Sequence, residues 1–157
     1  MKILLIGASG CFGTELTWAC KMKNIKLKYF SSKKLDILNF TKLKKKINLI
    51  KPSIIVNSSA LVGINQCEVE YEKAFKINSI GALNLAKICK INNIILVQTS
   101  THAVFDGTKN NSYNERDIPN PNNVYSGTKY LSEVFVKSIC KKYYIIRFPT
   151  LFGNRRN

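Results

Sequence analysis

Four apolar residues, Ile3 to Ile6, run straight into "GASGCFG", and a helical pattern starts at once behind it. Few folds accommodate both halves of that stretch. The apolar run is too short for a helix and does not alternate, so it reads as a strand buried on both faces, the kind found in parallel sheets. Gly7, Gly10 and Gly13 fall in the spacing G-x-x-G-x-x-G. Glycines there permit a tight turn and let backbone N–H groups approach a pyrophosphate, which then sits on the positive end of the next helix. A glycine pattern alone is weak evidence. The strand before it and the helix behind it supply the context that points to a dinucleotide, the alternative being a glycine-rich turn that binds nothing.

The rest of the chain keeps the same rhythm. Strands are predicted at 3–6, 27–30, 54–57, 94–99 and 144–148, with helices at 12–22, 40–50, 70–91 and 124–141. Such alternation argues for βαβ units. The expected fold is α/β, a Rossmann-like doubly wound parallel sheet in three layers, with residues 1–157 forming one domain. One loop, 102–123, is rich in Asn, Asp, Gly and Pro and exceeds the roughly 12–15 residues beyond which loops in compact domains are usually functional or disordered. It joins the C-terminal end of a strand to a helix, on the edge where open α/β sheets bind ligands.

Composition narrows the classes. Apolar residues make up 45% of the chain, and no window approaches the roughly 18 apolar residues of a membrane span. "MKILLIG" lacks the length and cleavage site of a signal peptide, so a cytoplasmic protein without membrane contact is expected. The five cysteines are scattered without a C-x-x-C pair, which suits reduced thiols rather than a disulfide frame or metal site. The net charge of +16 comes almost wholly from lysine. Its densest run, "TKLKKK", reads as a solvated helix face with Leu43, Ile47 and Ile50 turned inward, and helps attract an anionic substrate; nucleic acid is not the expected partner.

Two stretches carry chemistry. At the end of the second strand, where dinucleotide folds that bind NAD place an acidic residue for the ribose hydroxyl, the chain reads "YFSSKKLDI". Ser31, Ser32, Lys33 and Lys34 would instead accept the 2′-phosphate of NADP, so NADP is favoured with NAD possible. In "NVYSGTKYLSE", Tyr125 and Lys129 are four residues apart on one helix and so share a face, about 6 Å apart at Cβ. Moving a tyrosine from its ordinary pKa near 10 to about 7 takes roughly 4 kcal/mol of differential stabilisation. A nearby ammonium and the positive ring of an oxidised nicotinamide are a field that could supply it. By itself Y-x-x-x-K is common and is usually a surface pair.

With the glycine turn, "TST" (Thr99 to Thr101) ending a strand 24 residues before Tyr125, and "NSSA" (Asn57 to Ala60) ending another, the chain resembles the extended branch of the short-chain dehydrogenase/reductase superfamily. It is most similar there to the dTDP-4-dehydrorhamnose reductase family, in "TSTHAVFDGTKNNSYNERDIPNPNNVYSGTKYLSE" and "NSSALVGINQCE". The likeness runs from Met1 to about Gly153. It implies an NAD(P)-dependent oxidoreductase of nucleotide-sugar metabolism and polysaccharide biosynthesis, reducing a 4-keto nucleotide sugar. Thr101, Tyr125 and Lys129 would be catalytic: Tyr125 the proton donor to the keto oxygen, Thr101 its hydrogen-bonding partner, Lys129 the holder of the nicotinamide ribose and tuner of Tyr125. Gly7, Ser9, Gly10, Cys11, Phe12 and Gly13 would meet the pyrophosphate. Ser32, Asp36 and Ile37 would lie toward the adenosine, and Ser59, Ala60 and Leu61, with Tyr125 and Lys129, would line the cofactor. Asn78 matches an asparagine that braces sheet and site.

Two departures lie on the substrate side. His102-Ala103 stands where the family has Asp-Tyr, and "RFPTLFG" has the form R-x-P-T-x-x-G of sugar-nucleotide epimerases and dehydratases. The family's C-terminal substrate-binding domain is expected to be absent from these 157 residues, because the chain is a fragment or truncated product, because a partner chain supplies the rest, or because the module does without it; a homodimer is an open alternative. A noncatalytic NADP-binding or regulatory subunit, or a truncated epimerase or dehydratase, are the competing readings.

Overall fold

The computed structural model describes residues 1–152. Five strands, β1 (Ile3–Ile6), β2 (Leu27–Phe30), β3 (Ile54–Asn57), β4 (Ile95–Thr101) and β5 (Tyr143–Phe148), form one sheet in the order β2-β1-β3-β4-β5, every pair parallel. The helices are α1 (Cys11–Met22), α2 (Phe40–Ile50), α3 (Ile64–Val69), α4 (Tyr71–Ala74), α5 (Gly81–Asn92) and α6 (Val124–Ile139). The result is the expected Rossmann-like doubly wound fold. The close of the predicted domain, residues 153–157, lies outside the described residues.

The burial pattern follows from the topology. Right-handed crossovers put α1 on one face of the sheet, because β1 to β2 steps one way, and α2, α5 and α6 on the other, because every later step goes the opposite way. Alternate strand residues Leu4, Ile6, Ile55 and Leu96 accordingly pack with Leu43 and Ile47 of α2, Leu85 and Ile88 of α5 and Val136 of α6. Leu5, also fully buried, faces the other way. Caps set the helix ends: Asn39 accepts from Lys42 N (3.0 Å) at the start of α2, and Asn123 accepts from Ser126 N (2.9 Å) at the start of α6.

Three departures from expectation bear on the site, alongside shifts of one or two residues at the starts of α1, β4 and β5 and at the end of α6. β4 runs on through Thr101, two residues past the predicted end, because β5 pairs with it there (Thr101 opposite Phe148). The predicted helix 70–91 is a continuous run with a π-helical turn at Phe75–Ile80 between α4 and α5. Short helix α3 went unforeseen, being six residues with little periodicity. The π turn widens the helix and turns Asn78 and Ser79 toward α6, where Asn78 Nδ2 donates to Thr128 Oγ1 (3.0 Å) and Ser79 Oγ donates to the Thr128 carbonyl (2.9 Å).

Candidate active site

The sheet changes winding direction at β1, so the C-terminal ends of β1 and β3 open a crevice, and the glycine turn lies in it. Gly7 (φ +90°) and Ala8 donate to the Phe30 carbonyl at 3.0 and 3.1 Å, which ties the turn to the end of β2. The three glycines are present for different reasons. A Cβ on Gly7 would come within 2.5 Å of the Ser58 carbonyl carbon, and one on Gly13 within 2.4 Å of the Gly7 oxygen, so packing excludes side chains at both. A Cβ on Gly10 would meet only the Gly7 oxygen at 3.6 Å, an ordinary contact. Nothing in the fold itself requires glycine there, and its side of the turn is open to close approach of a ligand. Gly10 is also the N-cap of α1, and among the described residues no side chain caps that helix and its first turn has no acid. Free N–H groups and the helix dipole there fit a pyrophosphate.

β4 and α6 bring in the remaining groups. Lys129 is 2% exposed, and its Nζ donates to the Thr99 carbonyl at 2.7 Å. Burial pushes the ammonium pKa down to about 8, with the Glu133 carboxylate opposing the drop. Tyr125 is raised above the ordinary phenol value: burial dominates, a hydrogen bond with the Thr101 side chain pulls the other way, and Cys67 adds to the rise. The sequence suggested a tyrosine acidified by Lys129. Here the lysine is turned to the Thr99 carbonyl and desolvation outweighs the other influences, so the Tyr125 phenol is raised rather than lowered.

The surrounding polar contacts fix these positions. Asn57 Nδ2 donates to Gln98 Oε1 (2.8 Å) between β3 and β4, and Asn57 Oδ1 accepts from Ser59 N (3.1 Å). Asn78 receives Leu61 N (2.8 Å) and donates to the Leu61 carbonyl (3.1 Å), clamping the loop after β3 as the sequence suggested. Glu68 Oε1 accepts from Val124 N (2.8 Å), the residue before Tyr125. In the long loop, Asp106 accepts from Thr108 N, Thr108 Oγ1, Tyr113 Oη and Asn120 Nδ2, bonds that hold its carboxyl far below the usual range. Asp117 accepts from Lys109 (2.8 and 2.9 Å) and Asn114 N (2.7 Å). The loop is therefore built, though its length alone left it open.

Thr101, Tyr125 and Lys129 share a cleft of about 830 Å³ with Ser9, Gly10, Cys11, Phe12, Gly13 and Ala60. Gly7, Ser59 and Leu61 do not line it: Gly7 packs against Ser58 and Gly13, and the Ser59 and Leu61 amides donate to Asn57 Oδ1 and Asn78 Oδ1. Ser32, Asp36 and Ile37 do not line it: Ser32 and Asp36 are exposed, Asp36 Oδ1 accepts from Leu38 N (2.8 Å), and Ile37 is buried against Gly81. Lining residues that sequence reasoning missed are Val62, Gly63 and Ile64 after β3 and Pro149 and Leu151 after β5. The signal for them was topological, since strand ends at a switch point feed the crevice. His102 is exposed, its Nδ1 3.2 Å from the Phe148 carbonyl.

A family model, the RmlD substrate binding domain, matches residues 1–157. The chain belongs to the RmlD family. Among solved RmlD-like structures, a dTDP-4-dehydrorhamnose reductase ortholog from Clostridium acetobutylicum superposes with TM-score 0.94 at 39% identity, covering 100% of this chain and 56% of that one. The dTDP-4-dehydrorhamnose reductase of Bacillus anthracis, solved in complex with NADP, gives TM-score 0.94 at 34% identity over 99% of this chain and 56% of that one. The spore coat polysaccharide biosynthesis protein SpsK of Bacillus subtilis is 31% identical over 153 residues, 98% of this chain and 54% of SpsK. The chain thus spans about half the length of the curated RmlD-family relatives it matches. Among the described residues no helix is long and apolar enough to cross a membrane.

Proposed function

We propose that the chain carries the cofactor site and catalytic groups of an NADPH-dependent reductase acting on a 4-keto nucleotide sugar, as in the dTDP-4-dehydrorhamnose reductases it resembles. The observation that carries this reading is the convergence of Thr101, Tyr125 and Lys129 on the cleft headed by the uncapped α1 and the open side of Gly10. The N–H groups opening α1 hold the pyrophosphate. The turn after β2, with exposed Ser32, Lys33 and Lys34 and no carboxylate ending the strand, favours NADP over NAD. Bound there, NADPH supplies the hydride.

The chain's own groups do the rest. Thr101 and Tyr125 aim their hydroxyls at the keto oxygen, and Tyr125, kept protonated by burial, gives up its proton as charge develops there. Lys129 contributes a positive charge that favours the tyrosinate formed and holds the ribose. The test is NADPH binding by fluorescence titration, followed by NADPH oxidation with dTDP-4-dehydrorhamnose. Turnover is expected, with Tyr125→Phe lowering it by about 10²–10⁴-fold while binding changes less than about twofold. Binding without turnover, unaffected by Tyr125→Phe, sinks the catalytic reading. It would favour the noncatalytic NADP-binding subunit, to which His102-Ala103 at the substrate side points; no binding of NADPH or NADH at millimolar concentration removes both.

A further inference from the structure

Glu133 has no role in the chemistry above, yet it is fully buried one helical turn beyond Lys129 and holds Ser100 and Arg147. Its Oε1 accepts from Ser100 Oγ at 2.6 Å and from Arg147 Nε at 2.9 Å, and its Oε2 accepts from Arg147 Nη2 at 2.6 Å. Ser100 sits between Thr99, whose carbonyl receives Lys129, and Thr101, whose hydroxyl meets Tyr125. One carboxylate therefore anchors the three-residue strand end on which both catalytic partners depend. Arg147 also covers the ring of Phe105 (5.0 Å to the centroid), which stacks on Tyr113 (4.3 Å), whose hydroxyl donates to Asp106, so the long loop rests on the same ion pair.

We propose that Glu133 is a positioning residue for this site: through Ser100 it sets the end of β4 under Thr101 and Lys129, and it supplies the negative charge that balances the buried Lys129 ammonium. Catalytic consequences rest on the reductase reading; the placement of Lys129 does not. The charged and titratable groups around the pair are few. Arg147 on β5 and Lys137 on α6 (3.7 Å) face Glu133, Glu115 and Tyr130 act on Arg147, and toward the cleft lie Tyr125 and, from α3, Cys67. Of these, Glu133 is the group that favours the charged lysine. A structural ion pair alone would need charge and fit equally. A counter-charge needs the charge first.

The experiment reads the Lys129 titration directly, by NMR of the chain labelled with 13C at lysine Cε, the resonance assigned with Lys129→Met. Glu133→Gln is expected to lower the titration midpoint by roughly half a unit or more, and Glu133→Asp, which keeps the charge on a shorter arm, to leave it within about 0.2 unit of wild type. Should Glu133→Gln not fold with Arg147 left unpaired, the double variant Glu133→Gln/Arg147→Met removes both charges and is expected to show the same fall. The proposal is overturned if a folded Gln variant titrates like wild type, or if Gln and Asp shift the midpoint alike. NADPH binding to wild type is measured in parallel. Its failure would remove the reductase reading while the lysine shift stood, and an unmoved lysine with normal NADPH binding would remove only the role of Glu133.

Discussion

Lys129 behaves differently in the fold than in the free chain. An ammonium with an ordinary pKa of 10.5 is held at about 8. The folded state thus binds this proton more weakly than the unfolded chain. Below pH 8 the whole burial cost is present, and between pH 8 and 10.5 stability from this group rises with pH, by about 3 kcal/mol at most. Lys129→Met is therefore expected to be more stable than wild type at pH 7 in urea unfolding, with its advantage shrinking across pH 8–10.5. A constant difference would contradict this. Tyr125, raised by burial, acts in the opposite sense only above pH 10, at the edge of that window. At this scale the sequence disclosed that Tyr125 and Lys129 share a helix face, because i and i+4 spacing is geometric. It could not disclose the direction of the tyrosine shift, because desolvation depends on what packs around the phenol.

Among the elements, the turn between β1 and α1 separates structural from binding requirements. Gly13→Ala places a Cβ 2.4 Å from the Gly7 oxygen, in backbone that must move, and is expected to cost about 2 kcal/mol or more of stability. Gly10→Ala has room in the protein, so its melting temperature is expected to stay within about 2 °C of wild type while NADPH affinity drops at least about tenfold. Equal effects of the two on stability and binding would refute the distinction. The ion pair joining α6 to β5 gives a further case: Arg147→Met alone leaves the buried Glu133 carboxylate without its strongest partner and is expected to destabilise by about 3–5 kcal/mol in urea unfolding. Strands and long helices were legible because their periodicity is local. The π turn at Phe75–Ile80 and the two extra residues of β4 were not, since both answer to partners distant in sequence, Thr128 and β5.

For the molecule as a whole, a chain of net charge +16 carries a cleft proposed to take a polyanion. Raising salt from about 50 to 500 mM shortens the Debye length from roughly 14 to 4 Å, and NADPH binding is expected to weaken at least about threefold, followed by fluorescence titration. An affinity indifferent to salt would mean that the lysines lie too far from the cleft to matter. The sequence by itself determined the fold class, the order of the elements and the residue types brought to the crevice, because apolar runs, glycine spacing and helix-face pairing are local patterns. Only the tertiary structure decided that Gly10 alone of the three glycines is dispensable to packing, that Asp36 and Ile37 stand clear of the cleft while Pro149 and Leu151 line it, and that the Glu133 carboxylate is buried one helical turn from the buried Lys129. Those outcomes depend on desolvation and on contacts between segments far apart in the chain, such as Phe12 and Phe148, which no single stretch encodes alone.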